Sequence, residues 1–238
     1  KGMEDWWTLM EERGTRMDMP LKPQVVAWEI GKRLREDAIV SCDSGTVATW
    51  FARQMKVKRG QMYSLSGTLA TMANGLSYCI ASQVAYPNRQ CVAFVGDGAF
   101  TMLMGEFATA VKYQLPIKVV VVKNNSLGMI KWEQMVFLGN PEFGCELHPI
   151  DFAAFARACG AIGVSVDDPK NCGAIIQEAF DTPGPVLVEA VVDPFEPPMP
   201  PKIEVGQAAK FAKALARGTP KRMKIATTVL EDKVREMV

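Results

Sequence analysis

The sequence predicts an α/β fold, a doubly wound and mostly parallel sheet with helices on both faces, followed by a basic helical tail. Three observations carry this. Short apolar runs alternate with helical patterns through residues 23–193. One run, Ile117–Val122, holds four valines in succession, which suits a strand buried on both faces. The loops after three of these runs are rich in small and polar residues, as expected at the edge of such a sheet where ligands bind.

The elements follow in order. The chain opens on Lys rather than Met, and its first 20 residues carry two Trp and four Met among charges. Residues 1–22 therefore read as the run-out of a preceding element plus a linker, and the chain as a piece of a longer polypeptide. Pro23 opens a helix with Val25, Val26, Trp28, Ile30 and Leu34 near helical spacing. Ala38–Cys42 is a buried strand, Gly45–Met55 a helix, and Tyr63–Leu65 a short strand. Ala73–Tyr86 is an Ala-rich helix, Cys91–Val95 a strand, Gly105–Gln114 a helix and Ile117–Val122 the strongest strand. Phe152–Ala158, Ala161–Val166, Cys172–Phe180 and Pro185–Val191 continue as helix, strand, helix, strand. No internal repeat interrupts the pattern.

Pro194, Pro197, Pro198, Pro200 and Pro201 form a stiff connector that ends the body near Asp193. Charge changes there: residues 1–198 hold 18 basic and 22 acidic residues, residues 199–238 hold 9 and 4. The organisation predicted is 1–22 linker, 23–193 ligand-binding domain and 194–238 connector and tail. The tail could form amphipathic helices at a membrane surface, but its mixed charges and few large aromatics favour packing on protein.

Composition removes several classes of function. The 238 residues are 48% apolar and 22% charged, an ordinary globular balance. Lys plus Arg (27) nearly equals Asp plus Glu (26), so no long-range field favours nucleic acid. No apolar run approaches the roughly 18 residues that span a bilayer. Cys42, Cys79, Cys91, Cys145, Cys159 and Cys172 form no C-x-x-C pair, which argues against a zinc or redox motif and for a reducing, cytoplasmic setting.

Three loops could carry chemistry. Asp43-Ser44-Gly45-Thr46 ends a strand and opens a helix, so its small residues could let backbone N–H groups approach a phosphate; a plain capped turn would look the same. Gly96-Asp97-Gly98-Ala99-Phe100-Thr101 sets an unobstructed carboxylate between glycines, suited to a hard cation such as Mg²⁺. A dinucleotide fingerprint fails there, because Thr101 replaces its third glycine and Lys123 stands where its acid belongs. A Walker A loop fails for want of Gly-Lys-Ser/Thr. In Lys123-Asn124-Asn125-Ser126-Leu127-Gly128 the Asn carbonyls are neutral hard-oxygen ligands, although Asn also favours turns. Asp97 and Asn124 end adjacent predicted strands, so both could reach one ion.

The stretch GDGAFTMLMGEFATAVKYQLPIKVVVVKNNSLG, with 25 residues between Gly98 and Asn124, resembles the thiamine-diphosphate motif. From about Pro23 onward the chain resembles the C-terminal domain of thiamine-diphosphate enzymes of the pyruvate oxidase and acetolactate synthase type. CDSGTVATWFARQM, the stretch around TMANGL and PPMPPKIEVGQAAKFAKALARG are most similar to bacterial pyruvate oxidases, also called quinone-dependent pyruvate dehydrogenases. The resemblance implies that Asp97 gives a carboxylate to Mg²⁺, Asn124 its side-chain oxygen and Ser126 its main-chain carbonyl. Counting from the acid selects Asn124; counting from the Asn pair selects Asn125. Ser44, Gly45, Thr46 and the Gly98-Ala99 backbone are expected at the diphosphate. Met72 is expected to prop the cofactor into its bent shape, and Leu127, Gly128 and Met129 to line the substrate side.

The resemblance also implies what lies outside this chain. The aminopyrimidine end of the cofactor sits on a separate domain that supplies an activating Glu, and a middle domain binds FAD in several members. Glu106 and Glu133 read instead as helix-surface residues, and His148, before Pro149, as a turn residue. The expected activity is decarboxylation of a 2-oxo acid, pyruvate above all, followed by oxidation, or by carboligation as in acetolactate synthase. A catalytically silent cofactor-binding domain is the third reading. The expected partners are the pyrimidine-binding domain or subunit and further copies of the chain, as a dimer or tetramer.

Overall fold

The computed structural model describes residues 2–198 and 205–237, with side chains to residue 231. Met199, Pro200 and Pro201 of the predicted connector lie outside the described residues. The chain forms two compact units, one of Lys1–Asn124 with Pro149–Asp193 and one of Asn125–His148 with Pro194–Val238.

The first unit runs α1 (Gly2–Gly14), α2 (Pro23–Arg33), β1 (Ile39–Cys42), α3 (Thr46–Gln54), β2 (Met62–Ser64), α4 (Asn74–Ala85), β3 (Cys91–Gly96), α5 (Asp97–Leu103), a 3₁₀ turn (Met104–Glu106), α6 (Phe107–Lys112) and β4 (Lys118–Lys123). The unit's second segment adds helix Phe152–Ala158, β5 (Ile162–Val166), helix Pro169–Asp181 and β6 (Val186–Val191). All six strands are parallel, in the order β2-β1-β3-β4-β6-β5. This is the doubly wound sheet the sequence predicts.

The strands read as unbroken apolar runs because both faces are covered. Side chains alternate along each strand. Val40, Val92, Phe94, Val120 and Val188 enter a core with Val25, Ile30, Trp50 and Ile176. Cys91, Ala93, Val95, Val119 and Val121 enter the opposite core with Leu76, Phe100, Phe107 and Phe152. Helix starts follow local chemistry. Pro23 occupies the first turn of α2, where its missing N–H costs nothing. Asp151 and Asp168 cap the helices at Phe152 and Pro169 by accepting from Ala154 N (2.7 Å) and Lys170 N (2.9 Å).

Two expectations are refined. The Gly96–Thr101 loop is a helix from Asp97 onward, and the single helix expected over 105–114 is a 3₁₀ turn followed by α6. Within the first 22 residues, 2–14 form a helix whose Met10 is buried. Gly14 lies so close to Trp28 that a Cβ there would sit 2.4 Å from its ring.

The second unit contains α7 (Gly128–Trp132), numbered in chain order ahead of α8 (Phe152–Ala158) and α9 (Pro169–Asp181) of the first. A π-helical stretch, Glu133–Leu138, follows α7, and α10 (Val205–Ala216) and α11 (Arg222–Met237) complete the unit. Its core is Trp132, Met135, Val136, Ala214 and Ile225, with the Phe211 ring 6.1 Å from that of Trp132. Among the described residues no helix is long and apolar enough to cross a membrane.

Candidate functional site

Strand order brings the three loops together. β1, β3 and β4 are consecutive in the sheet, so the turns after Cys42, Gly96 and Lys123 share its carboxyl edge. The chain runs outward in one direction from β1 to β2 and in the other from β3 onward. The β1/β3 crevice is thus the switch point where ligands of such sheets bind.

Asp97 stands at the centre of this edge and is 5% exposed. Gly96 pairs with Val122, which sets the tips of β3 and β4 side by side. The Asp97 Oδ1 accepts from Gly98 N (2.9 Å) and Oδ2 from Asn124 N (3.1 Å). These two N–H groups fix the plane of a carboxylate that has about four acceptor directions. Asp97 and Asn124 are thus neighbours at adjacent strand tips, through the main-chain N–H of Asn124. Asn125 takes the left-handed region at φ 54° and begins the second unit.

Within the second unit, Ser126 forms a bridge with Glu146, and its carbonyl accepts from Gly128 N at 2.8 Å. Leu127 N donates to Cys145 O (2.8 Å). Gly128 is buried and opens α7, and Met129 is half-buried. No periodic pattern in the sequence marks 128–138 as an element, yet α7 and a π-helical stretch form there.

The turn after β1 holds a residue whose role sequence reasoning underrated. Asp43 is 1% exposed. Its Oδ1 accepts from Ser44 N (2.9 Å) and Ala73 N (2.8 Å), and its Oδ2 from Gly75 N (3.1 Å). Burial pushes this carboxyl above its ordinary value, and the N–H bonds from Gly75, Ser44 and Ala73 pull it back. Ser44 Oγ donates to Thr71 O at 2.9 Å. Both Ser44 donors therefore serve the protein, leaving Gly45 and Thr46 as the donors this turn presents at the start of α3. Gly45 has φ 127°, a conformation that excludes a side chain, and its carbonyl accepts from Ala48 N (3.1 Å).

Met72 is half-buried on the segment that these bonds hold, immediately before Ala73 at φ 72°. The signal for Asp43 lay in the sequence only as an acid at a strand end. Its partners are 30 and 32 residues away, beyond any local pattern.

Lys123 pairs with Glu189, whose other oxygen accepts from Ala153 N (3.4 Å). The ammonium also lies 5.9 Å from the Phe152 ring. The cation beside Asn124 is thereby compensated within the sheet. Glu106, Glu133 and His148 are exposed, in keeping with surface roles. All six cysteines are free thiols; burial raises those of Cys42, Cys79, Cys91, Cys145 and Cys172, the last to about 12.

Among the described residues no three His, Cys, Asp or Glu side chains converge. A cation at Asp97 would therefore take one carboxylate, neutral oxygens and oxygens of a ligand. That donor set fits Mg²⁺ shared with phosphates and does not fit an all-protein cage.

Residues 43–190 match the family model described as thiamine pyrophosphate enzyme, C-terminal TPP binding domain. The chain is 41% identical over 215 residues to the "Putative thiamine pyrophosphate-containing protein YdaP" of Bacillus subtilis, covering 90% of this chain and 37% of that protein. It is 34% identical over 179 residues to the "Acetolactate synthase large subunit" of Pyropia yezoensis (74% and 30% covered). It is 29% identical over 215 residues to the "Acetolactate synthase isozyme 3 large subunit" of Escherichia coli (86% and 38%). The chain thus spans about a third of the length of these relatives.

Proposed function

Because the chain belongs to the thiamine pyrophosphate enzymes and carries their C-terminal cofactor-binding domain, we propose that it holds the diphosphate and Mg²⁺ for decarboxylation of a 2-oxo acid. One observation carries this reading: the buried Asp97 carboxylate, oriented by Gly98 N and Asn124 N at the tips of adjacent strands. In this reading Asp97, the Asn124 side chain and the Ser126 carbonyl hold the metal. Gly45, Thr46 and the Gly98-Ala99 backbone face the diphosphate, and Ser44 shapes their turn. Gly98 contributes by lacking a side chain, since its N–H is given to Asp97. Leu127, Gly128 and Met129 form the substrate side. The bound cofactor supplies a carbon nucleophile and an electron sink for loss of CO₂; the protein supplies orientation and electrostatics.

Titration calorimetry with thiamine diphosphate, with Mg²⁺ or with EDTA, tests the site. Asp97→Ala should abolish Mg²⁺-dependent binding, weakening it at least about 100-fold, since a charge-bearing ligand and its hydrogen bonds go together. Unchanged affinity would refute the assignment.

For the reaction we favour pyruvate oxidation of the quinone-dependent type, with FAD on a domain outside this chain, on the resemblance of CDSGTVATWFARQM and the C-terminal stretch. The names of several relatives favour a carboligase of the acetolactate synthase kind equally well. Reduction of ferricyanide or quinone with pyruvate supports the first; accumulation of acetolactate supports the second. Because the chain covers only part of its relatives, we propose that the activating Glu comes from another domain or subunit, and that this stretch alone is silent. Decarboxylation of pyruvate by the 238 residues alone would reject that last point.

A further inference from the structure

The cofactor-site reading gives Met72 a task but leaves the buried Asp43 carboxylate, which grips the turn carrying it, without one. Apart from the Ser44 N–H on Asp43 Oδ1, the side-chain bonds of this turn join residues 41–44 to residues 71–75. Ser41 Oγ donates to Gly75 O (2.7 Å) and Asn74 Nδ2 to Cys42 O (3.1 Å). Ala73 N and Gly75 N donate to opposite oxygens of Asp43. Ser44 Oγ closes the far end on Thr71 O. Only Met72 within 71–75 directs no bond of its own to this strand end, and it is flanked on both sides by residues that do.

The grip also explains the backbone between them. Ala73 is a non-glycine residue at φ 72°, a left-handed conformation that persists only where surroundings impose it. The surroundings here are the two carboxylate bonds, since Asp43 takes the N–H of Ala73 and that of the second residue beyond. Gly75 must be glycine for the same approach: a Cβ there would lie 3.1 Å from Asp43 Oδ2 and 2.6 Å from Val95 Cγ1.

We infer that Asp43 is a positioning residue for the cofactor: its carboxylate fixes the left-handed turn at Ala73 and thereby the place of Met72 over the β1/β3 crevice. The inference rests on the proposed cofactor reading. Asp43 touches no cofactor in this scheme and acts through the turn.

The test is hydrogen exchange of individual amides together with calorimetry, on the wild-type protein and Asp43→Asn. An amide side chain can accept from one side only, and its NH₂ would confront the other N–H. In wild-type protein without cofactor, the Ala73 and Gly75 amides should be protected to a degree comparable with β3, although Ala73 is outside α4. In Asp43→Asn their protection should fall at least about tenfold while amides of β3 and β4 stay within about twofold, and affinity for thiamine diphosphate with Mg²⁺ should fall about 10- to 100-fold. Fast exchange of both amides in the wild type overturns the proposal even if the variant fails to fold. So does a variant that exchanges faster everywhere alike, or one that binds the cofactor like the wild type. A wild-type protein that does not bind thiamine diphosphate at all refutes the cofactor reading and takes this role with it; binding that Asp43→Asn leaves intact refutes the positioning role alone.

Discussion

Gly75→Ala probes a close approach between α4, β3 and the Asp43 carboxylate. The change adds one methyl group near the start of α4. On propensity alone it should help, because Ala exceeds Gly in a helix by about 1 kcal/mol. Packing opposes this. The new carbon would lie 2.6 Å from Val95 Cγ1, more than 1 Å inside ordinary contact, and 3.1 Å from Asp43 Oδ2. Neither neighbour gives way easily. Val95 is fully buried in a central strand with a stiff χ1, and Asp43 is held by three N–H groups. Overpacking costs about 1–3 kcal/mol, and a contact at 2.6 Å belongs in the upper part of that range, about 2–3 kcal/mol; less the propensity gain of about 1 kcal/mol, the net change should be destabilising by about 1–2 kcal/mol. For a chain of this size that lowers the melting temperature by about 2–8 °C. Thermal and urea denaturation measure it directly. Val95→Ala removes the obstructing methyl, so the double variant should lose about 1–2 kcal/mol less than the sum of the single changes. A Gly75→Ala protein as stable as wild type, or more stable, would refute the reasoning, as would strict additivity.

A buried lysine and a buried ion pair give separate predictions. Lys118 donates to Thr182 O and to Gly184 O (2.8 Å), and burial lowers its ammonium from 10.5 to about 8. The folded state then binds fewer protons than the unfolded state between those values, so the penalty is full below pH 8 and relieved as pH rises. Relative to Lys118→Met, the wild type should gain stability from pH 7 to pH 10, by at most about 3 kcal/mol; a gap independent of pH in urea titrations would contradict this. Lys22 and Asp193 meet at 2.6 Å with side chains 4% and 3% exposed. Lys22→Met should cost about 3–5 kcal/mol, and pairing it with Asp193→Leu should recover most of the loss; a single-variant cost under about 1 kcal/mol would show that the pair is dispensable.

The sheet was legible because its strands are buried on both faces, and four consecutive valines admit few other readings. That Asp97 and Asn124 lie near each other was legible for a related reason: each follows the end of an unbroken apolar run, which places both at the carboxyl edge of a parallel sheet. α5 was not, because Gly96, Asp97 and Gly98 read as turn residues, whereas the acid at the helix start suits the positive end of the helix dipole. The stretch 125–148 lacks strict periodicity and contains a π-helix, which no 3.6-residue pattern reveals. Asp43 was legible only as a cap, since what distinguishes it is a pair of amides 30 and 32 residues downstream.

Asp43 recognises residues 73 and 75 solely through the peptide backbone, an attribute every amino acid except proline possesses. The side chain at position 72 is consequently uncoupled from its own anchor. On the proposed placement of Met72 at the cofactor, exchange of that methionine for a bulkier, smaller or branched residue would reshape the crevice without loosening the scaffold, so this short hook would let selection retune chemistry while the architecture stays put.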